Sequence, residues 1–292
     1  MHRMNALILA GFLSGSVLPG DAVDDGLGAQ APEQLRLHTR TMIQAGMPTE
    51  DAVRMTRAME EHQFRTTEIL HAQEIVMNAL RAGLPPGPLL DKAREGLAKG
   101  AQAQDVLRAM ERTRARYEHA YERASSLATP GPGTRATGDA IAGALAAGLA
   151  EPDADRIHEQ LRTEARDRVH QTARACYLTA RVMAGYRVAS ATVADTICSA
   201  LQAGYRAQDM ERLRSLFMRR ARLENPGQVA LQYMKRIQGG ASPANLDEGA
   251  RQGNMGGSSQ SGSSSGSSSG GKGTGGSNSG GKGPGGNGLN GK

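Results

Sequence analysis

The sequence predicts an all-α protein made of two related four-helix halves packed as an extended helical bundle. Three observations carry this: the composition, a recurring glycine, and the intervals between those glycines. Aromatic residues are only 3% of the chain and Trp is absent. Ala, Arg, Gln, Glu, Leu and Met dominate residues 32–240, while the strand formers Val, Ile, Tyr and Phe are scarce. Small side chains bury little area each, so the stability per residue is expected to be modest.

An apolar run ends at Gly46, Gly83, Gly100, Gly148, Gly185 and Gly204, and the residue after each is Met47, Leu84, Ala101, Leu149, Tyr186 or Tyr205. A helix C-terminus asks for this pair. Glycine takes the left-handed conformation without a Cβ clash, and the next apolar residue folds back on the last turn. Five residues beyond each glycine stands Asp51, Pro88, Asp105, Asp153, Ser190 or Asp209. Most of these are capping or acidic residues, suited to the N–H groups and the positive end of a first turn. Each glycine is therefore read as closing one helix before the next begins.

The interval from Gly46 to Gly83 is 37 residues, and so is that from Gly148 to Gly185. A further 17 residues lead to Gly100 and 19 to Gly204, and Ala-Gln-Asp recurs at 103–105 and 207–209. Such matched spacing predicts an internal duplication. The first half, 32–128, is expected to hold helices near 32–45, 50–82, 88–99 and 104–128. The second, 139–240, is expected to hold helices near 139–147, 152–184, 190–203 and 208–224, with a short one at 227–238. The helices 50–82 and 152–184, each ~50 Å long at the α-helical rise, are expected to be the spines of the halves. Pro130 and Pro132 place a hinge at 129–138.

The ends differ from the middle. Residues 1–31 read as an export leader: Arg3, then an apolar stretch from Ala6 to Leu18, then the A-x-A triplet Ala29-Gln-Ala31, with Gly20-Asp-Ala22 as an earlier cleavage candidate. The stretch is too short for a transmembrane helix. Residues 241–292, rich in Gly and Ser, have almost nothing to bury and are expected to be disordered. Residues 32–250 carry 30 Lys and Arg against 26 Asp and Glu, which is no nucleic-acid signature.

The candidates for chemistry are few. Glu68 and His71 form an E-x-x-H pair, the helical spacing used in di-iron bundles, but the second half supplies no matching pair. A metal-binding or enzymatic bundle using His62, Glu68, His71 and Glu164 is the least favoured reading, and no metal or cofactor is assigned. His62 and Thr66 interrupt an apolar stripe (Met55, Met59, Ile69, Val76, Leu80), as Glu164 and Arg168 do in the second half. Nucleophile motifs and phosphate loops are absent from the sequence. Arg212, Arg214, Arg219, Arg220, Arg222, Lys235 and Arg236 make the C-terminal helices basic and are the candidate binding residues. The expected function is that of an exported, non-catalytic scaffold or partner-binding protein of the bacterial cell envelope, periplasmic or extracellular. Its partner is expected to be a protein. The alternative is an anionic polymer or membrane surface held by the basic end and tail.

Two cysteines are present, Cys176 and Cys198. Both lie eleven residues from position 187, so antiparallel helices reversing there would bring them to one height. An oxidising compartment would then join them, closing a loop for about 3 kcal/mol in the chain-entropy model.

Overall fold

The computed structural model describes residues 19–28, 30–127, 131–163 and 169–246. Among them are twelve α-helices and no strand: α1 (Pro19–Leu27), α2 (Glu33–Gln44), α3 (Thr49–Glu61), α4 (Thr66–Arg81), α5 (Gly87–Ala98), α6 (Ala103–Leu127), α7 (Pro132–Ala147), α8 (Glu151–Leu161), α9 (Val169–Gly185), α10 (Ser190–Gln202), α11 (Ala207–Arg220) and α12 (Pro226–Gln238). The all-α expectation holds.

The glycine rule holds at five of six positions. Gly46, Gly83, Gly100, Gly148 and Gly204 all have positive φ, between 63° and 113°. In each case the next apolar residue donates its N–H back across the last turn, as in Met47 N to Met42 O (3.1 Å) and Tyr205 N to Ala200 O (2.9 Å). Gly185 is the exception. It ends α9 without positive φ, and Arg187 takes the left-handed turn instead at φ 63°. Val188 N then closes onto Met183 O at 3.2 Å.

The expected spines are each two helices. The first breaks at Gln63, whose φ is 61°, and Phe64 folds back so that its N–H meets Met59 O at 3.0 Å. Glu68 then caps the start of α4, its carboxylate accepting from Arg65 N at 2.9 Å and from the Arg65 guanidinium. The polarity of His62 and Thr66 is therefore that of a turn and a helix start. In the second half α8 stops at Leu161, and residues 164–168, with Glu164 and Arg168, lie outside the described residues. The hinge is also shorter than expected. Pro132 occupies the first turn of α7, where its missing N–H costs nothing, so most of 129–138 is helical.

Each helix packs on neighbours one and two places along the chain. The contacts α2–α4–α6 and α7–α9–α11 run along one series, and α1–α3–α5 and α8–α10–α12 along another. Two apolar cores result. One gathers α2 to α5 with Val106, Leu107 and Met110 of α6. The other gathers α7 to α12 with Ala120, Ala124 and Leu127 of the same α6. The longest helix, 25 residues, thus serves both cores, and Tyr117 touches each. On α7, Gly138 lies against the Tyr121 ring so closely that a Cβ would stand 2.5 Å from it. Small residues here let α6 and α7 approach closely.

The last ordered contacts run past residue 240. Tyr205 Oη donates to Ala241 O at 2.6 Å, Arg236 donates to the carbonyls of Asn245 (3.1 Å) and Leu246, and Leu246 is fully buried. Packing therefore continues past 240 through 246; the rest of the tail expected to be disordered over 241–292 lies outside the described residues. A chain ending at Gly240 is expected to lose about 1.5–3 kcal/mol of stability with the Leu246 side chain. A urea melt against the full chain checks this, and coincident midpoints would show that 241–246 adds nothing.

Candidate functional site

Three of the seven basic C-terminal residues are tied to groups within the fold. Arg220 donates to Glu224 (2.8 and 2.6 Å) and to Gln232 Oε1 (2.7 Å), and lies 5.4 Å from the centroid of the Tyr233 ring. It therefore ties α11 to α12. Arg212 donates to Ala244 O at 3.3 Å, while Arg236 holds the carbonyls of Asn245 and Leu246. Those two clamp the chain that leaves α12. Arg214 is half-buried, and Arg219, Arg222 and Lys235 are exposed. The groups that absorb this charge are the Glu224 carboxylate one turn past Arg220, Gln232 on α12, and the carbonyls of Ala244, Asn245 and Leu246.

The E-x-x-H pair does not converge on one point. Glu68 is turned back to Arg65, with Arg65 Nη2 at 2.6 Å from its carboxylate, which holds it below the usual carboxylate range. His71 faces α6 instead, 3.9 Å from Glu111. His62 sits in the α3–α4 turn, its Nε2 at 3.2 Å from Leu97 O. Among the described residues no group of three or more His, Cys, Asp or Glu is placed to hold a metal ion.

Cys176 and Cys198 are not joined by a disulfide. Equal height above a turn does not fix azimuth. Cys176 is fully buried in the second core, whereas Cys198 is only partly buried and lies among Arg156, Asp153 and Asp195, on the α8 side of α10. Burial pushes the Cys198 thiol above its ordinary pKa, so it is held as the neutral thiol.

Two arrangements were not anticipated from the sequence. The first is a polar cluster between α6 and α8. Arg123 pairs with Asp155 at 2.8 Å, and His119 lies 3.7 Å from the same carboxylate. One turn along, Ser126 Oγ is 3.1 Å from Nε2 of His158, a side chain only 2% exposed. The Ser126 hydroxyl proton is committed to Arg123 O (2.9 Å), so the neutral imidazole carries its proton on Nε2 and donates it to Ser126. His158 Nδ1 then faces no partner among the described residues, and no carboxylate orients the ring. The arrangement is not a catalytic triad, which needs that third member.

Burial first, and then the Arg123 charge, hold the His158 pKa below its ordinary value of 6.5. His170 is shifted the same way by burial. The folded state therefore binds fewer protons than the unfolded chain once the pH drops below about 6.5. Stability is expected to be intact above that pH and to decline as the pH falls through it. His158→Gln should flatten the decline. Chemical denaturation at pH 7.5, 6.5 and 5.5 checks this, and parallel curves for the two proteins would exclude His158 as the source.

The second is an open groove of about 850 Å³ formed by the α3–α4 turn with the start of α4, residues 61–68, and the α5–α6 turn with the start of α6, residues 100–108. His62, from the first wall, is tied to the last turn of α5, which leads into the second. Its charges are matched by near neighbours: Glu61 with Arg57 (2.8 Å), Arg65 with Glu68, and Arg108 with Asp105. The remaining polar side chains of the lining include the exposed amides of Gln63, Gln102 and Gln104. Sequence reading missed it because the α3–α4 turn was hidden inside an expected helix.

Comparison of the chain with protein-family models, with curated proteins and with solved structures gives no match.

Proposed function

We propose that this chain is a non-catalytic helical scaffold of the bacterial cell envelope, exported there, which binds a protein partner. The observation that supports this reading is the groove between residues 61–68 and 100–108. Its charged groups are matched locally, and it offers side-chain amides and open volume. Amides pair with peptide groups through one donor and one acceptor each, the chemistry of a protein contact and not of ion attraction. A photo-crosslinking residue at Gln104, with a second at Lys235 in a separate variant, tests it in intact cells. A protein adduct at position 104 that survives high salt is expected. An adduct confined to position 235 and lost on raising ionic strength would favour the anionic polymer or membrane surface instead, since such contacts are screened.

We further propose that residues 32–128 and 139–240 descend from a duplicated unit. Support comes from the parallel helix series α2 to α6 and α7 to α11, and from the left-handed turns that punctuate both. The repeated unit on this reading has five helices where four were expected, because each spine is two. A fragment of residues 132–246 should then fold cooperatively once the α6 surface it needs is supplied as a separate peptide, residues 103–127. Failure to fold with that peptide present would count against two separable units.

A further inference from the structure

The half-buried acids of this fold are answered by donors, with one exception. Asp51 meets Arg94 at 3.6 Å, Glu111 meets Arg114 at 3.0 Å, Asp155 meets Arg123 at 2.8 Å and Asp195 meets Arg156 at 2.6 Å. Glu68, Asp153 and Asp209 accept from Arg65 N (2.9 Å), Ser190 Oγ (2.6 Å) and Arg206 N (3.0 Å). The exception is Glu60, in the last turn of α3, whose half-buried carboxylate has neither a cation nor a donor among the described residues. The basic residues near it in sequence are committed elsewhere, Arg57 to Glu61 at 2.8 Å and Arg65 to Glu68 at 2.6 Å. Burial pushes the Glu60 carboxyl above its ordinary pKa. An uncompensated charge of this kind costs the fold stability.

The carboxylate lines a shallow depression of about 520 Å³ beside the groove described above. Its floor is apolar: Leu35 and Ile69, each 1% exposed, with the half-buried Phe64. Gln63, Phe64 and Arg65 border both spaces, so the α3–α4 turn is a ridge between them. Gln63 holds that ridge at φ 61°, where glycine serves at Gly46, Gly83, Gly100, Gly148 and Gly204 and a side chain costs free energy. Within the fold its amide gains only a long bond to Glu60 O, at 3.4 Å. A side chain retained at that cost, beside a carboxylate without a partner, marks the ridge as a place of contact. The complement of the depression is a cation on an apolar stem, with the stem over Leu35, Phe64 and Ile69 and the charge at Glu60. Lys and Arg side chains are built that way.

We propose that the protein partner presents an extended segment that crosses the Gln63 ridge and seats one Lys or Arg side chain in the depression, its charge on Glu60. This rests on the reading of the neighbouring groove as a protein contact. Random peptides of about twelve residues displayed on phage and selected on the purified full chain supply the probe. Enriched sequences are synthesised and their binding is measured by fluorescence anisotropy. They are expected to share one basic residue among uncharged neighbours, and its replacement by norleucine should weaken binding about tenfold. Glu60→Gln should weaken the parent peptide to the same extent and abolish the difference between the two peptides. Because it removes an uncompensated charge, Glu60→Gln should also melt no lower than the native chain. Equal affinity of the parent peptide for the native chain and for Glu60→Gln overturns the assignment. So does a Glu60→Gln chain that melts clearly lower, since the carboxylate would then serve the fold. Gln104→Trp, which fills the neighbouring groove, tests the reading beneath. Peptides that need Glu60 but ignore Gln104→Trp leave the basic-residue site standing and remove the groove, and peptides lost with Gln104→Trp yet indifferent to Glu60→Gln do the reverse. Failure to enrich any peptide overturns both.

Discussion

Phe217→Ala is expected to lower the free energy of unfolding by about 3–5 kcal/mol, the range for removing a large buried aromatic side chain. The chain has only three Phe, and this one is fully buried on α11. Its ring meets Tyr186 edge-on, with centroids 5.7 Å apart and planes at 88°. The apolar cluster around it draws on α9, α10 and α12 as well as α11. Alanine supplies much of that cluster, and alanines cannot swing in to fill a hole. The cavity should therefore persist, placing the cost toward the upper part of the range. Phe217→Leu keeps most of the volume and is expected to cost less than about 1.5 kcal/mol. Urea denaturation of the two variants beside the native chain gives both numbers. A Phe217→Ala loss under about 1 kcal/mol would mean that the second core is far looser than its burial implies.

The parts of this fold that could be read from sequence are those decided by local chemistry. A left-handed helix end favours glycine, so Gly46, Gly83, Gly100, Gly148 and Gly204 announce themselves. Gln63 and Arg187 take the same conformation without being glycine, so the first turn was missed inside an expected helix and the second was placed two residues early, at Gly185. A signal was nonetheless present. Phe64 follows Met47 by 17 residues, as Ala101 follows Leu84 and Tyr205 follows Val188. Each of these apolar residues folds back on a helix end. The 37-residue interval thus contains two helices, and its length alone resembled one. Features that depend on distant partners were not legible. Arg220, Arg236 and Arg212 are a basic cluster in sequence, and what they bind across the fold is set by Gln232, Leu246 and Ala244. The expected pairing of Cys176 with Cys198 rested on residue counts from a turn, and the facing of α10 toward α8 is a tertiary fact that no such count supplies.

Gln73→Glu is expected to cost roughly 4 kcal/mol at neutral pH and far less at pH 4, although the two side chains are nearly the same shape. Gln73 is fully buried on α4, inside what reads as an apolar stripe. Its Nε2 donates to Thr39 Oγ1 at 3.0 Å and to Thr56 Oγ1 at 2.9 Å, while those hydroxyls donate to Leu35 O (2.7 Å) and Ala52 O (3.0 Å). Three helices are thereby joined by one amide. A glutamate replaces the donor with a second acceptor. Ionised, it faces two hydroxyl oxygens whose protons are already committed, in a site without water contact. Protonated, it keeps one donor for one threonine. The folded state therefore favours the acid form, and buried glutamates of this kind reach pKa values about four units above the ordinary 4.3. At about 1.4 kcal/mol per unit, the part of that shift lying between pH 4.3 and pH 7, about 2.7 units, sets the loss at neutral pH. A raised carboxyl pKa makes stability greatest below the unfolded value, with loss as the pH rises above about 4.3. Gln73→Met serves as the neutral comparison. It removes the donor and also the Gln73 Oε1 acceptor, which is buried with no partner among the described residues, so its cost should be small and independent of pH. Urea melts of the three proteins at pH 4 and pH 8 separate these cases. An equal loss for Gln73→Glu at both pH values would show that water reaches the Thr39–Thr56 site and that the three helices are not sealed there.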